Sequence, residues 1–296
     1  MRRLILQAAP LIIALLAFPF FGGTRAPENQ RDISSDQARL QQALLSVAGY
    51  CEKVKRIALF YVCVEKMDDK EYFFRDRTFS DIEALEERSF TVRRVVHRTA
   101  TYDYQLIKKG GDIQEDRTLL EENGKKRNVK HAARILTKYS PRLMIFGPVG
   151  FLSAYWQQHF KYSVIGEDRV GDFQALVIRA VPTEKREDNC QAGRIWVGAD
   201  AQVIRIEIEP ASLGEYKDEV IADPLGDFHK KVTWTIDYSV EKNGIRFPGR
   251  QMIREEFVRM IAHGTREQKA LKRETVFDYF GYKFFTVETD INFNKK

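Results

Sequence analysis

The chain has 296 residues, with 48 lysines and arginines against 42 aspartates and glutamates and a formal charge of +6. The two signs are interspersed rather than gathered into a basic stripe, which argues against a nucleic-acid partner. Three cysteines, Cys51, Cys63 and Cys190, are too few for a disulfide scaffold, and the length suffices for one large β domain or two small ones.

Arg2 and Arg3 precede an apolar run from Leu4 to Phe21 that ends in Gly22-Gly23-Thr24-Arg25-Ala26. This is the layout of a secretory signal over residues 1–26. Its length sits at the lower limit of a bilayer span, so cleavage and retention as an inner-membrane anchor both stay open. The expected location is therefore periplasmic or secreted. An oxidising compartment makes a disulfide plausible for two of the cysteines. With a turn near Ala58, Cys51 lies roughly 10 Å back along a helix and Cys63 about 16 Å along a strand. That makes Cys51 and Cys63 the candidate pair, two buried thiols the alternative, and leaves Cys190 over.

Residues 27–35 read as a flexible polar leader. Ser34 with Gln37 makes a capping box, and Leu40, Leu44, Val47, Cys51, Val54 and Ala58 recur at steps of three and four, which predicts a helix over 36–56. From Leu59 the composition becomes that of strands, starting with Leu59 to Val64. Residues 66–89 are densely charged. A hairpin follows through 90–107 and 112–121 about Gly110-Gly111, polar on much of both faces and so expected at an edge or standing out from the body. Asn123 to Arg127 is a basic turn. One domain over 36–296 is expected, with a charged insertion or extended hairpin at about 66–130.

The segment 135–160 is a second helical region, apolar on all sides from Leu143 to Leu152 and interrupted by Gly147, Pro148 and Gly150. It suits either a buried plug or a mobile lid over an apolar cavity. Hairpins are then predicted for 160–181 and 194–209. In the second of these Ile204, Ile206 and Ile208 alternate with Arg205, Glu207 and Glu209. Val232, Trp234, Ile236, Tyr238 and Val240 alternate with polar residues before a turn at Asn243-Gly244. Strands over 245–260 and 271–293 complete an α+β, mainly β architecture, an antiparallel sheet curled around helices.

Motifs that carry catalysis do not emerge from the sequence. The five histidines lack the close spacing of a zinc helix, and no nucleophile elbow, phosphate loop or dinucleotide fingerprint occurs. No catalytic residue, metal ligand or cofactor is expected, and the protein is read as not an enzyme.

Two stretches carry a family resemblance. Gly193-Arg194-Ile195-Trp196-Val197-Gly198-Ala199-Asp200-Ala201-Gln202-Val203-Ile204-Arg205-Ile206-Glu207, and later Asp237 to Pro248, resemble the LolA/LolB-like lipoprotein-carrier superfamily in their order after a signal, one amphipathic helix and broken apolar helices. The opening from Tyr50-Cys51 to Phe60-Tyr61-Val62-Cys63-Val64-Glu65 is similar to uncharacterised secreted relatives. The resemblance implies a curved antiparallel half-barrel covered by helices. Its role would be to hold a lipid, an acyl chain or a lipidated partner, with membrane-surface contact. Candidate cavity or lid residues are Leu143, Phe146, Phe151, Leu152, Trp156, Trp196, Trp234 and Tyr238. The alternative is an envelope module that binds a protein partner with a filled core. Trp196 lies on the strand face opposite Ile195 and Val197, and either face could be the inward one.

Overall fold

The computed structural model describes residues 33–74, 92–134, 144–184, 192–209, 220–221, 228–261 and 266–285. The signal over 1–26, Leu143, Cys190 and the strand expected beyond 285 lie outside these.

The 3.6-residue periodicity that begins at Leu40 produces α1 (Ile33–Ile57). Its inward stripe, Val47, Cys51 and Val54, is fully buried. The helix already contains Ile33, so the end of the expected leader belongs to it and Ser34 lies inside the helix rather than ahead of it.

Four strands follow: β1 (Tyr61–Phe74), β2 (Val92–Lys109), β3 (Asp112–Glu122) and β4 (Lys125–Val129). A short 3-10 turn (Met144–Phe146) leads into α2 (Gly147–Leu152) and α3 (Ala154–Gln157). Then come β5 (Phe160–Val170), β6 (Phe173–Pro182), β7 (Gly193–Gly198), β8 (Val203–Ile208) and β9 (Val220–Ile221). The chain continues through β10 (Phe228–Asp237), β11 (Val240–Lys242), β12 (Ile245–Phe247), β13 (Arg250–Ile261) and β14 (Arg266–Phe284).

All but β11 and β12 join one sheet in the order β4-β3-β2-β1-β14-β13-β10-β8-β7-β6-β5, with β9 beside β10. Every pairing is antiparallel. The two ends do not meet, so the sheet is an open half-barrel, as the resemblance implied. It curls around α1: one continuous core cluster takes in Val47 and Val54 of α1, Tyr102 and Tyr104 of β2, and Ile178 of β6. Asn243 and Gly244 both have positive φ, 53° and 67°, the conformation that a tight hairpin between β11 and β12 demands.

Two expectations are sharpened. Of its two expected places the β2–β3 hairpin takes the one at an edge, lying in the sheet between β1 and the outermost β4, because Ala100, Tyr102, Tyr104 and Leu106 alternate onto the inner face and are buried there. The edge is β4, where Lys125, Lys126 and Arg127 discourage pairing with another strand. The helical segment breaks at Ser153, whose φ and ψ of −66° and 153° are extended. Pro148 instead sits in the first turn of α2, where its missing N–H costs no hydrogen bond.

Candidate functional site

Residues directly opposite one another across an antiparallel sheet share a face, so the strand register lays out the inner surface in rows. One row runs from Gly193 and Ile208 through Trp234 and Ile253 to Thr275 and Asp69. The next runs from Ile195, Ile206 and Ile236 through Gln251 to Phe277 and Met67. The β6–β10 part of both rows is apolar, and it is this part that the short helices cover.

The cover sits close. A Cβ on Gly147 would lie 2.3 Å from the Tyr238 hydroxyl and 3.2 Å from Ile206 Cδ1, so only glycine permits the approach. Gly193 makes similar room for the Phe151 ring, 3.3 Å from where its Cβ would be. Polar side chains from the body fasten the cover by its backbone carbonyls. Tyr238 donates to the Met144 carbonyl at 2.9 Å, and the Cys51 thiol to that of Pro148 at 3.4 Å. The Tyr162 hydroxyl donates to the Phe151 carbonyl. In return Gln157 Nε2 of α3 donates to the Leu44 carbonyl of α1 at 2.7 Å.

The β1–β14 part of the inner face is different, because it carries buried charge. Glu65 is fully buried and accepts from Arg117 Nε at 2.9 Å and Nη2 at 3.2 Å, and from Arg134 Nε at 3.2 Å and Nη2. Burial alone would raise the Glu65 carboxyl, but the guanidiniums of Arg134 and Arg117 outweigh it and hold the group below its ordinary value. Asp69 accepts from Arg273 Nε and Nη2 at 2.9 and 2.8 Å and from the Thr275 hydroxyl at 2.7 Å. The Arg134 guanidinium also lies over the Phe277 ring, 4.4 Å from its centroid.

Of the candidate residues, Phe151, Leu152, Trp234 and Tyr238 are buried in the main core, with Phe146 and Trp156 half-buried against it. Trp196 is not among them. It packs with Ala175, Val177 and Ile204 on the outer face and donates its Nε1–H to Asp168 at 2.9 Å. Ile195 and Val197 are the inward pair, so Trp196 is withdrawn as a residue of the inner surface. The ionised seam was missed altogether. The signal for it was parity, since Glu65 and Asp69 occupy the same alternate positions of β1 as Tyr61, Cys63 and Met67.

The expected Cys51–Cys63 disulfide is also absent, and both are free, buried thiols. Cys51 points from α1 at the Pro148 carbonyl, whereas Cys63 lies on the inner face of β1 against the Tyr282 hydroxyl. Burial pushes each thiol up to about 12. Thiolate is the reactive form. Iodoacetamide at pH 8 is therefore expected to leave both unmodified in the folded protein and to alkylate both in guanidinium, as read by peptide mass mapping. A Cys51–Cys63 disulfide peptide in the digest would overturn the assignment.

Among the described residues no three His, Cys, Asp or Glu side chains gather into a group that could hold a metal ion, and no helix is long and apolar enough to cross a membrane.

No protein-family model matches the chain, and no curated protein does. Solved structures similar to it include a DUF1329 family protein from Desulfovibrio piger, at 11% identity over 84% of this chain and 95% of that one, with a TM-score of 0.38. A LolA superfamily protein from Nitrosomonas europaea is similar at 11% identity over 83% and 94%, TM-score 0.32. The chain is also similar to the Pseudomonas aeruginosa MucA/MucB complex, at 8% identity over 83% of this chain and 99% of that one, TM-score 0.23.

Proposed function

We propose that this is a non-catalytic binding protein of the cell envelope, which holds an acyl chain, another lipid or a lipidated partner against the apolar rows beneath α2 and α3. The observation that carries this reading is the nature of the cover. It consists of helices of six and four residues, too short to be stable alone. Side chains of the body grip it through backbone carbonyls, contacts that can be exchanged for water when it lifts. A chain of about ten methylenes entering in its place recovers roughly 8 kcal/mol of apolar burial. Release then requires a receiver that binds the cargo or the open form better. The envelope location rests on the signal-like residues 1–26, and contact with a membrane surface would fall to Tyr155, 56% exposed on α3.

Native mass spectrometry of the protein purified without detergent tests this. The expected result is copurified phospholipid or acylated peptide near one per chain, or uptake of added fatty acid. A clean mass that takes up nothing counts against a lipid site. A second reading, an envelope module that binds a protein partner and has a filled core, draws on the ionised seam, whose buried, mutually paired groups fill that part of the inner face and leave an acyl chain nothing to bind there.

A further inference from the structure

Trp234 and Gln251 stand where the inner face changes from apolar to ionised. On one side of them lie Ile208, Ile206 and Ile236, and on the other Thr275 and the Asp69 and Glu65 ion pairs. Gln251 is fully buried and Trp234 is 7% exposed. Yet among the described residues neither the Gln251 Nε2 amide nor the Trp234 Nε1–H has a hydrogen-bond partner. Buried donors are ordinarily paired, and an unpaired one forfeits its solvation.

The two are neighbours. Trp234 is opposite Ile253 and Ile236 opposite Gln251, so Trp234 and Gln251 are diagonal on one face, about 7–8 Å apart at the backbone and within joint reach of one group. The orientation of the amide is set from the seam. Arg134 Nη2 donates to the Tyr279 hydroxyl at 3.4 Å, leaving that hydroxyl to donate to Gln251 Oε1 at 3.5 Å, which turns the NH2 group away from it.

We propose that Trp234 Nε1–H and Gln251 Nε2–H form a polar anchor for the neutral carbonyl oxygen of an acyl ester or amide, whose chain lies along the apolar rows toward β7 and β6. This deepens the lipid-holding reading and rests on it. A neutral acceptor fits better than a carboxylate, because Arg117 and Arg134 are already taken by Glu65, and Arg273 and Arg98 by Asp69. A buried anion would find no free counter-charge there.

The test uses a matched pair of probes, 1-dodecanoylglycerol and 1-O-dodecylglycerol, which share chain and glycerol and differ in the carbonyl. Each displaces a dansyl-labelled fatty acid from the detergent-free protein. In the wild type the ester is expected to compete about tenfold better than the ether, the effect of one or two neutral hydrogen bonds. Trp234→Phe and Gln251→Leu should each shrink that ratio toward one, and the ratio is the readout because both probes lose the same apolar contact. Gln251→Met serves as a second variant, and thermal midpoints confirm folding. Equal competition by ester and ether in the wild type, or a ratio unaltered in folded variants, overturns the anchor and leaves the lipid reading standing. Displacement by neither probe overturns both.

Discussion

Replacing Glu65 with glutamine is expected to lower stability at pH 7 by about 3–5 kcal/mol, the cost of leaving buried cations without their counter-charge. The side chain of Glu65 is fully buried and both Arg117 and Arg134 point at it, so glutamine keeps the shape and removes the charge that holds two guanidiniums. In a domain of this size that is a fall in Tm on the order of 10 °C. The pH dependence has a definite sign. Because the folded carboxyl lies below its ordinary value, its contribution is fully present above the unfolded carboxylate pKa of about 4.3 and is lost as pH falls through the lower folded value. Wild type and Glu65→Gln should therefore differ most near neutrality and converge in acid. Denaturant midpoints at pH 7 and pH 3 measure both limbs, and a deficit equal at the two pH values would refute the ionic account.

Gly147→Ala should be the most disruptive small change in the cover. The added methyl would collide with the Tyr238 hydroxyl at 2.3 Å, in a contact that also carries the bond from Tyr238 to the Met144 carbonyl. A loss of about 1–3 kcal/mol is expected, as for other overpacked cores. Tyr238→Phe alone should cost about 1–2 kcal/mol by orphaning the Met144 carbonyl. The double variant should be more stable than the sum of the two losses predicts, because phenylalanine removes the colliding atom and leaves the ring carbon at 3.6 Å. Additive losses in equilibrium unfolding would mean that α2 does not seat on Tyr238. Gly147→Ala should also speed exchange of any bound lipid by raising the cover.

Much of the fold was legible in the residues. The α1 stripe is buried where its period puts it, and the hairpins β5–β6 and β7–β8 form over nearly their predicted spans. Phe151 and Tyr238 were legible as inward because they stand in apolar runs or strict alternation. What the sequence hid has a common cause. Dense charge after Lys66 suggests an insertion or extended hairpin and marks no end for the first strand, whereas β1 runs on to Phe74 with Glu65 and Asp69 turned inward. The arginines that make this tolerable are on β3, β14 and beside β4, far away in sequence, and no local window contains the pair. Trp196 was misassigned for a related reason: strand parity separates two faces but does not say which one a helix will cover.

The placement of β14 between β1 and β13 has a kinetic meaning. Asp69 and Arg273, joined across that pairing, are 204 residues apart, so the middle of the sheet closes only through contacts of long sequence separation. Such topologies fold slowly, on the millisecond-to-second scale, because loop-closure entropy is spent before the contacts repay it. Without Arg266–Phe284 the strands would fall into two fragments, β1–β4 and β5–β13, each with a raw, unpaired edge at the former centre. The inner edge of the β1–β4 fragment would stay in water until that strand paired with it, so assembly would be governed by one late pairing event.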